Sequence, residues 1–244
     1  MGLLFKKFNP YFLVLLFSFY YTNAFALKQS VPLFMADYKL THNSIEIGRV
    51  ALSISLQENG QYQLTSTTKT SGALAFFRND DVVETSLFEL TEGHIRPLSY
   101  HYQQALGKKN KNISLQFDWQ KKTLTNSSQG QDWKLTLTKG VLDKALLQVA
   151  LMLDLNNPAS QVFQYKVADG GRLKNYEFSH LGVETVNING TEYDTVKLAR
   201  QKGSKPSITY YWCAPELHNL PILLQREKSY GTFEMRLTNV KFYD

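Results

Sequence analysis

Apolar and polar residues alternate with a period of two along most of this chain, the pattern of strands that bury one face. Phe34, Ala36, Tyr38 and Leu40 share a face, with Asp37, Lys39 and Thr41 opposite. After a turn placed near Gly48, the alternation resumes in Val50, Leu52, Ile54 and Leu56. Asn59-Gly60 and Asn189-Gly190 are tight-hairpin signals, because both residue types accept the positive φ of a primed turn. Further strands are expected over 82–90, 98–103, 113–119, 133–137, 163–167 and 176–178. The runs 183–188, 191–200, 208–212, 222–228 and 232–242 complete the series.

The period changes once. Leu142, Ala145, Leu146, Val149, Ala150 and Leu153 form a helical stripe within 141–155, widened by Leu147, Leu151 and Leu155. Asp143 falls in the expected first turn, where a carboxylate interacts well with the helix dipole, and Pro158 marks the end. So broad an apolar surface needs contacts on more than one side. The expected fold is mainly β: one long, strongly curved antiparallel sheet, a half-barrel or near-closed barrel, with one central helix at about 141–155. The tally is roughly ten to twelve strands with hairpin-length connections.

The first residues follow another rule. Lys6 and Lys7 precede the apolar run Tyr11–Tyr21, and Ala24-Phe25-Ala26 supplies small residues at a cleavage position. That order is a secretory signal peptide over 1–26, leaving a single exported β-rich domain at 27–244. The apolar run is too short to cross a hydrocarbon core of ~30 Å as an ordinary helix. The expected location is the periplasm, in soluble form after cleavage, with no integral membrane segment in the mature chain.

Composition narrows the partners. The 244 residues are 43% hydrophobic and 20% charged, which argues against long disorder. The net charge of +6 includes Lys6 and Lys7 of the leader. A modest excess of positive charge outside the cytoplasm suits anionic envelope surfaces, and nucleic acid is excluded as a partner. Cys213 is the single cysteine, so stability rests on core burial without an internal disulfide, and the thiol is expected to be buried. Lysines 108, 109, 111, 121 and 122 would form one positive rim if their turns adjoin, and otherwise a solvated edge.

Catalytic strings are absent: there is no nucleophile elbow, zinc-protease helix, phosphate loop or EF-hand. The histidines at 42, 94, 101, 180 and 218 are not paired at metal-ligand spacing. No catalytic residue, metal ligand or cofactor is assigned. The aromatics carry the remaining signal. Tyr100, Tyr102, Phe117, Trp119, Trp133, Tyr165, Tyr176, Phe178, Tyr210 and Trp212 are placed on inward-looking strand positions, where they would line an apolar pocket if the helix leaves space.

Val196–Arg200, Tyr211-Trp212-Cys213-Ala214-Pro215 and Leu220-Pro221-Ile222 occur in that order. With Gly93-His94-Ile95-Arg96-Pro97 and Phe117-Asp118-Trp119 upstream, this series resembles a family of exported bacterial proteins, chiefly Gram-negative, known as a domain of unknown function. The resemblance spans about Tyr38 to Leu237 and implies a periplasmic, mostly β protein with no established catalytic residues. The architecture is also similar to the half-barrels of periplasmic lipoprotein carriers, an analogy of fold. The function expected is non-enzymatic binding of an apolar or acyl-containing envelope ligand on the concave face of the sheet. The alternatives are an envelope protein–protein interaction or structural module, and an envelope glycan or lipid hydrolase. The partner classes are accordingly a lipid, an acyl chain or an envelope protein.

Overall fold

The alternating segments pair into a single sheet of 15 strands in the computed structural model, which describes residues 30–72, 81–106, 109–157, 160–201 and 208–243. The leader, Lys108 and Pro158 lie outside the described residues. Chain order begins with β1 (Leu33–His42), β2 (Ile45–Leu56), β3 (Tyr62–Thr70), β4 (Asp81–Thr91) and β5 (His94–Leu106). Next come β6 (Lys109–Asp118), β7 (Thr123–Ser128), β8 (Gln131–Thr136), the short β9 (Val141–Asp143) and the helix α1 (Leu147–Asp154). The chain ends with β10 (Val162–Ala168), β11 (Leu173–Ile188), β12 (Thr191–Gln201), β13 (Ile208–Ala214), β14 (Leu220–Lys228) and β15 (Gly231–Tyr243).

The spatial order runs from β8 back to β1, then from β15 back to β9. β1 is thus the shared spine, paired with β2 on one side and β15 on the other. All pairings are antiparallel except β9 with β10. The two edge strands, β8 and β9, are consecutive in sequence and separated only by residues 137–140. A flat sheet of this width would hold its edges about 65 Å apart at ~4.8 Å per strand, whereas that link reaches at most about 18 Å. The sheet has to roll until its edges come within that reach, without pairing to each other. β9 accordingly lies against β5, all three of its residues are buried, and Asp143 is bonded to Ser86 of β4.

The helix is shorter than the periodicity predicts. Val141–Asp143 forms β9, in parallel register with Lys166, Val167 and Ala168, and α1 starts only at Leu147. A fully buried strand and a buried helix segment present the same run of apolar residues, so periodicity cannot separate them. Asp143 is not in the first helical turn. It ends β9, and its Oδ1 accepts the N–H groups of Ala145 (2.9 Å) and Leu146 (3.0 Å), turning the chain toward the helix. In α1 only Gln148 and Asp154 escape burial, as befits a helix covered on all sides. Its last carbonyls are met by Asn219, which donates to Met152 O (3.1 Å), and by Asn156, which donates to Leu153 O (3.2 Å).

Other differences have local causes. The turn expected near Gly48 lies at Asn43-Ser44, both with positive φ, while Gly48 sits inside β2. A Cβ at Gly48 would stand 2.8 Å from the Lys69 carbonyl oxygen, so glycine there serves close strand approach. The runs 176–178 and 183–188 belong to one strand, β11, irregular in register between His180 and Gly182. Lys111 lies near the start of β6, whereas Lys121 and Lys122 follow its far end, so the lysine turns do not form one rim. Asn189-Gly190 does turn a hairpin, with φ of 51° and 91°.

The core joins both half-sheets through the plug. Phe34, Leu64, Phe88 and Leu124 come from one half and Phe178, Leu198, Leu220 and Ile222 from the other, with Leu146, Leu151 and Met152 between them. Cys213 is fully buried, and burial raises its thiol pKa far above the usual range. Leu151→Ala should lower unfolding stability by about 2–5 kcal/mol in urea titrations, because a cavity opens in the plug. Leu181→Ala, at a side chain 50% exposed, should change it by less than about 0.5 kcal/mol. Equal losses at the two positions would contradict the plug as the centre of the core.

Candidate functional site

Cross-strand partners share a face, so the register lays out the inner wall row by row. One row is Ile54, Leu64, Ser86, Tyr100, Leu115, Asn126 and Trp133 on β2 to β8. The next row, toward the β1–β2 turn, is Leu52, Ser66, Glu84, Tyr102, Ile113 and Ser128. The first row is largely buried beneath β9, while the second is half-buried and mostly polar. On the other half-sheet the corresponding end carries Phe178, Arg200, Thr209, Arg226, Phe233 and His42 in one row. The plug covers the opposite end. The inner wall therefore runs from an apolar, filled end to a polar mouth.

At this mouth the rolled halves meet in a recess of about 120 Å³, lined by Tyr100, Tyr102, Lys111, Ile113, Leu115, Asn126, Lys144 and the β10–β11 turn at Ala168–Gly170. Tyr100 donates to Glu84 Oε1 at 2.9 Å, and Lys144 Nζ lies 3.5 Å from the same oxygen. Across the recess Asp169 Oδ2 accepts from Lys174 (2.6 Å) and Tyr176 (2.9 Å). Burial and then the Asp169 carboxylate push the Tyr176 phenol up to about 12. Lys111 Nζ stands 5.7 Å from the Tyr102 ring centroid. Asn126 Oδ1 is buried without a hydrogen-bond partner, a costly state that a donor in the recess would relieve. Two larger recesses, of about 460 and 560 Å³, lie around Lys39 and are lined by strand residues, with Asn43 and Ser44 of the β1–β2 turn in the second.

Asp143 sits beneath this recess. Ser86 Oγ donates to its Oδ2 at 2.6 Å, and burial pushes its carboxyl up to about 7 against the lowering effect of Ser86 and two backbone N–H groups. Both side chains are fully buried, so the hydroxyl–carboxylate pair has no approach for a substrate and acts as a tie between β4 and β9. No group of three or more His, Cys, Asp or Glu side chains among the described residues is arranged to hold a metal.

The ten aromatics divide into separate groups. Tyr100 and Tyr102 line the recess, and the Trp133 indole, 38% exposed, stands beside Gly171 of the β10–β11 turn. Gly171 has φ of 77°, and a Cβ there would come within 2.5 Å of Trp133 Nε1. Phe117 stacks on Trp119 at 6.3 Å at the far end of β6, where Trp119 donates to Pro97 O. Tyr165 and Phe178 pack edge to face at 5.8 Å in the core, and Tyr165 donates to Asp154. Tyr176 lies under Arg200. Tyr210 and Trp212 do not look inward: Tyr211, between them, packs on Phe178, while Lys197 covers both of its neighbours and Trp212 donates to Glu184. In a run of Tyr-Tyr-Trp both faces are aromatic, so alternation gives no sign of which one is inside. Asn126, Arg200, Thr209 and Arg226 were not singled out by sequence. The available signal was Arg200 at the same strand parity as buried Leu198.

Residues 37–238 match the model of a protein family described as a protein of unknown function, DUF3108. No curated protein matches the chain. Among solved structures, the chain is similar to a β-barrel-like protein of domain of unknown function DUF1849 from Brucella abortus. Identity is 11%, with a TM-score of 0.61 over 88% of this chain and all (100%) of that one. That likeness is one of fold. A second match, to MucB in complex with MucA(peri), has 10% identity over 87% of this chain and 94% of that one, with a TM-score of 0.17, and carries no argument.

The raised Asp143 pKa sets a pH dependence. An unfolded aspartate ionises near pH ~4 while the folded one keeps its proton until about pH 7, so the folded state binds more protons between these values. Stability should fall as pH rises through that window, by up to about 1.4 kcal/mol per pH unit from this group. Asp143→Asn retains the acceptor for Ala145 and Leu146, and should remove this component of the slope in urea titrations at pH 4.5 and 7. An unchanged slope would refute the assignment.

Proposed function

The chain belongs to the DUF3108 family of proteins of unknown function, and we propose that it is an exported, non-enzymatic binding protein of the cell envelope. Its ligand is apolar or acyl-containing, with a polar group held at the mouth of the rolled sheet. The observation that carries this reading is the buried Asn126 oxygen, left without a partner on the wall of a recess that also offers the Tyr100 and Tyr102 rings. A folded chain rarely leaves a buried acceptor unmet unless something else supplies the donor. Ile113 and Leu115 supply apolar contact, while Lys111 and Lys144 favour an anionic or hydroxylated head. Of the ten aromatics, Tyr100 and Tyr102 line this recess, and Trp133 stands at the β10–β11 turn that borders it. Tyr176 and Phe178 enter this reading beside Arg200 at the mouth, and Phe117, Trp119, Tyr165, Tyr210 and Trp212 do not enter it.

The leader motif of Lys6-Lys7, Tyr11–Tyr21 and Ala24–Ala26 supports export, cleavage after Ala26 and a soluble periplasmic domain over 27–244. No helix among the described residues is long and apolar enough to cross a membrane. A second reading, an envelope interaction module, is favoured by β8, a sheet edge whose residues are nearly all exposed.

Protein recovered from the periplasm of its host should have an intact mass beginning at Leu27. Its organic extract should contain an acyl compound by mass spectrometry. Tyr102→Ala should weaken binding of an acyl fluorophore about tenfold, equivalent to about 1.4 kcal/mol. An empty extract together with no fluorophore binding would reject the reading.

A further inference from the structure

We propose that Arg200, Thr209 and Arg226, on the inner wall of the mouth, form a cradle for a phosphate group. This deepens the binding reading by naming the head group, and rests on that reading only for what the phosphate is attached to.

Thr209 is paired in register with Arg200 on one side and Arg226 on the other. With strands ~4.8 Å apart, two arginines flank one hydroxyl on the same face, about 10 Å from each other at the backbone. Side chains of that length close over a group the size of phosphate. Two forked guanidiniums and a hydroxyl can serve three terminal oxygens, a match for a tetrahedral anion rather than a planar carboxylate.

The two arginines, in one row through Thr209, act on one phenol. Both lower the pKa of the same buried phenol, Tyr211, against the dominant effect of burial. Arg200 is fixed by ring faces: its guanidinium carbon lies 5.2 Å from the Tyr176 centroid and 5.6 Å from that of Tyr211. Ring faces hold a cation without accepting its in-plane N–H groups. Arg200 Nε is indeed buried with no hydrogen-bond partner. Two carboxylates at the neighbouring recess have partners of their own, Asp169 in Lys174 and Tyr176, and Glu84 in Tyr100 and Lys144. The Arg200 Nε–H is thus a donor that an incoming anion can meet.

The test uses the mature chain in calorimetric titrations with three probes: inorganic phosphate, a single-chain acyl glycerol phosphate, and the same acyl glycerol without phosphate. The acyl phosphate should bind most tightly, and Arg200→Gln or Arg226→Gln should each weaken it roughly tenfold to hundredfold, the scale of a lost hydrogen bond to a charged group. The neutral acyl glycerol should bind each variant as it binds the parent, which also verifies that the variants are folded. Thr209→Val, which keeps the side-chain shape, should weaken only the phosphate-bearing probes. Binding of inorganic phosphate alone, with the same dependence on the arginines, would uphold the cradle and overturn the acyl reading. Equal binding of both acyl probes, unaffected by all three variants, would overturn the cradle and leave the binding reading standing. No binding of any probe would overturn both.

Discussion

The link at residues 137–140 ties the outermost strand of one half-sheet to the outermost strand of the other, and the curvature, the plug and the mouth all follow from it. Two meanders leave the spine β1 in opposite directions, and only a rolled sheet brings their ends within a loop's reach. Rolling delivers β9 to the inner face, where Asp143 bonds to Ser86 and turns the chain into α1. An eight-residue helix is too short to be stable alone, so α1 exists because the roll surrounds it. The outer edge, β8, is left exposed and is protected by polar and charged residues such as Gln131, Asp132 and Lys134.

The same geometry separates a filled end from a polar end. Toward the β13–β14 connection the plug fills the interior, and Asn219 and Asn156 satisfy the helix carbonyls that burial would otherwise leave unmet. Toward the β1–β2 turn the plug is absent, and inward positions carry Ser66, Glu84, Tyr102, Thr209 and two arginines. These side chains cannot form a dry core at acceptable cost, and most of them stay half-buried there. Asp143 marks the boundary: its carboxyl is buried on the filled side, at the cost of a raised pKa.

Alternation along single strands was enough to give a mainly β chain, a curved antiparallel sheet and one helix, because each strand buries one face. Asn189-Gly190 was legible for the same local reason, since its φ values of 51° and 91° are what a primed turn demands. Where two interpretations share one local pattern, the sequence misled. Val141–Asp143 reads equally as helix or buried strand, Gly48 equally as turn or close approach, and Tyr210-Tyr211-Trp212 is aromatic at both parities. The mouth was illegible for a different reason. Its row of Arg200, Thr209 and Arg226 exists only through pairing between three strands, and no one strand contains the pattern.

One charge at the mouth, Arg200, is handled differently from the paired charges around it and on the outer side. On the outer side, basic side chains meet carboxylates: Arg49 with Glu46, Arg236 with Glu234, and Lys197 with Glu184. Such pairs are self-contained and need no ligand, and being partly exposed each contributes little stability. Arg200 is held inside instead, by the faces of Tyr176 and Tyr211, which fix its plane without neutralising it. A fold selected for stability alone would gain by replacing that arginine with an apolar residue, since its buried Nε–H finds no acceptor. An oriented, unneutralised guanidinium is what recognition of an anion requires, because the ordering of the side chain is complete before the ligand arrives.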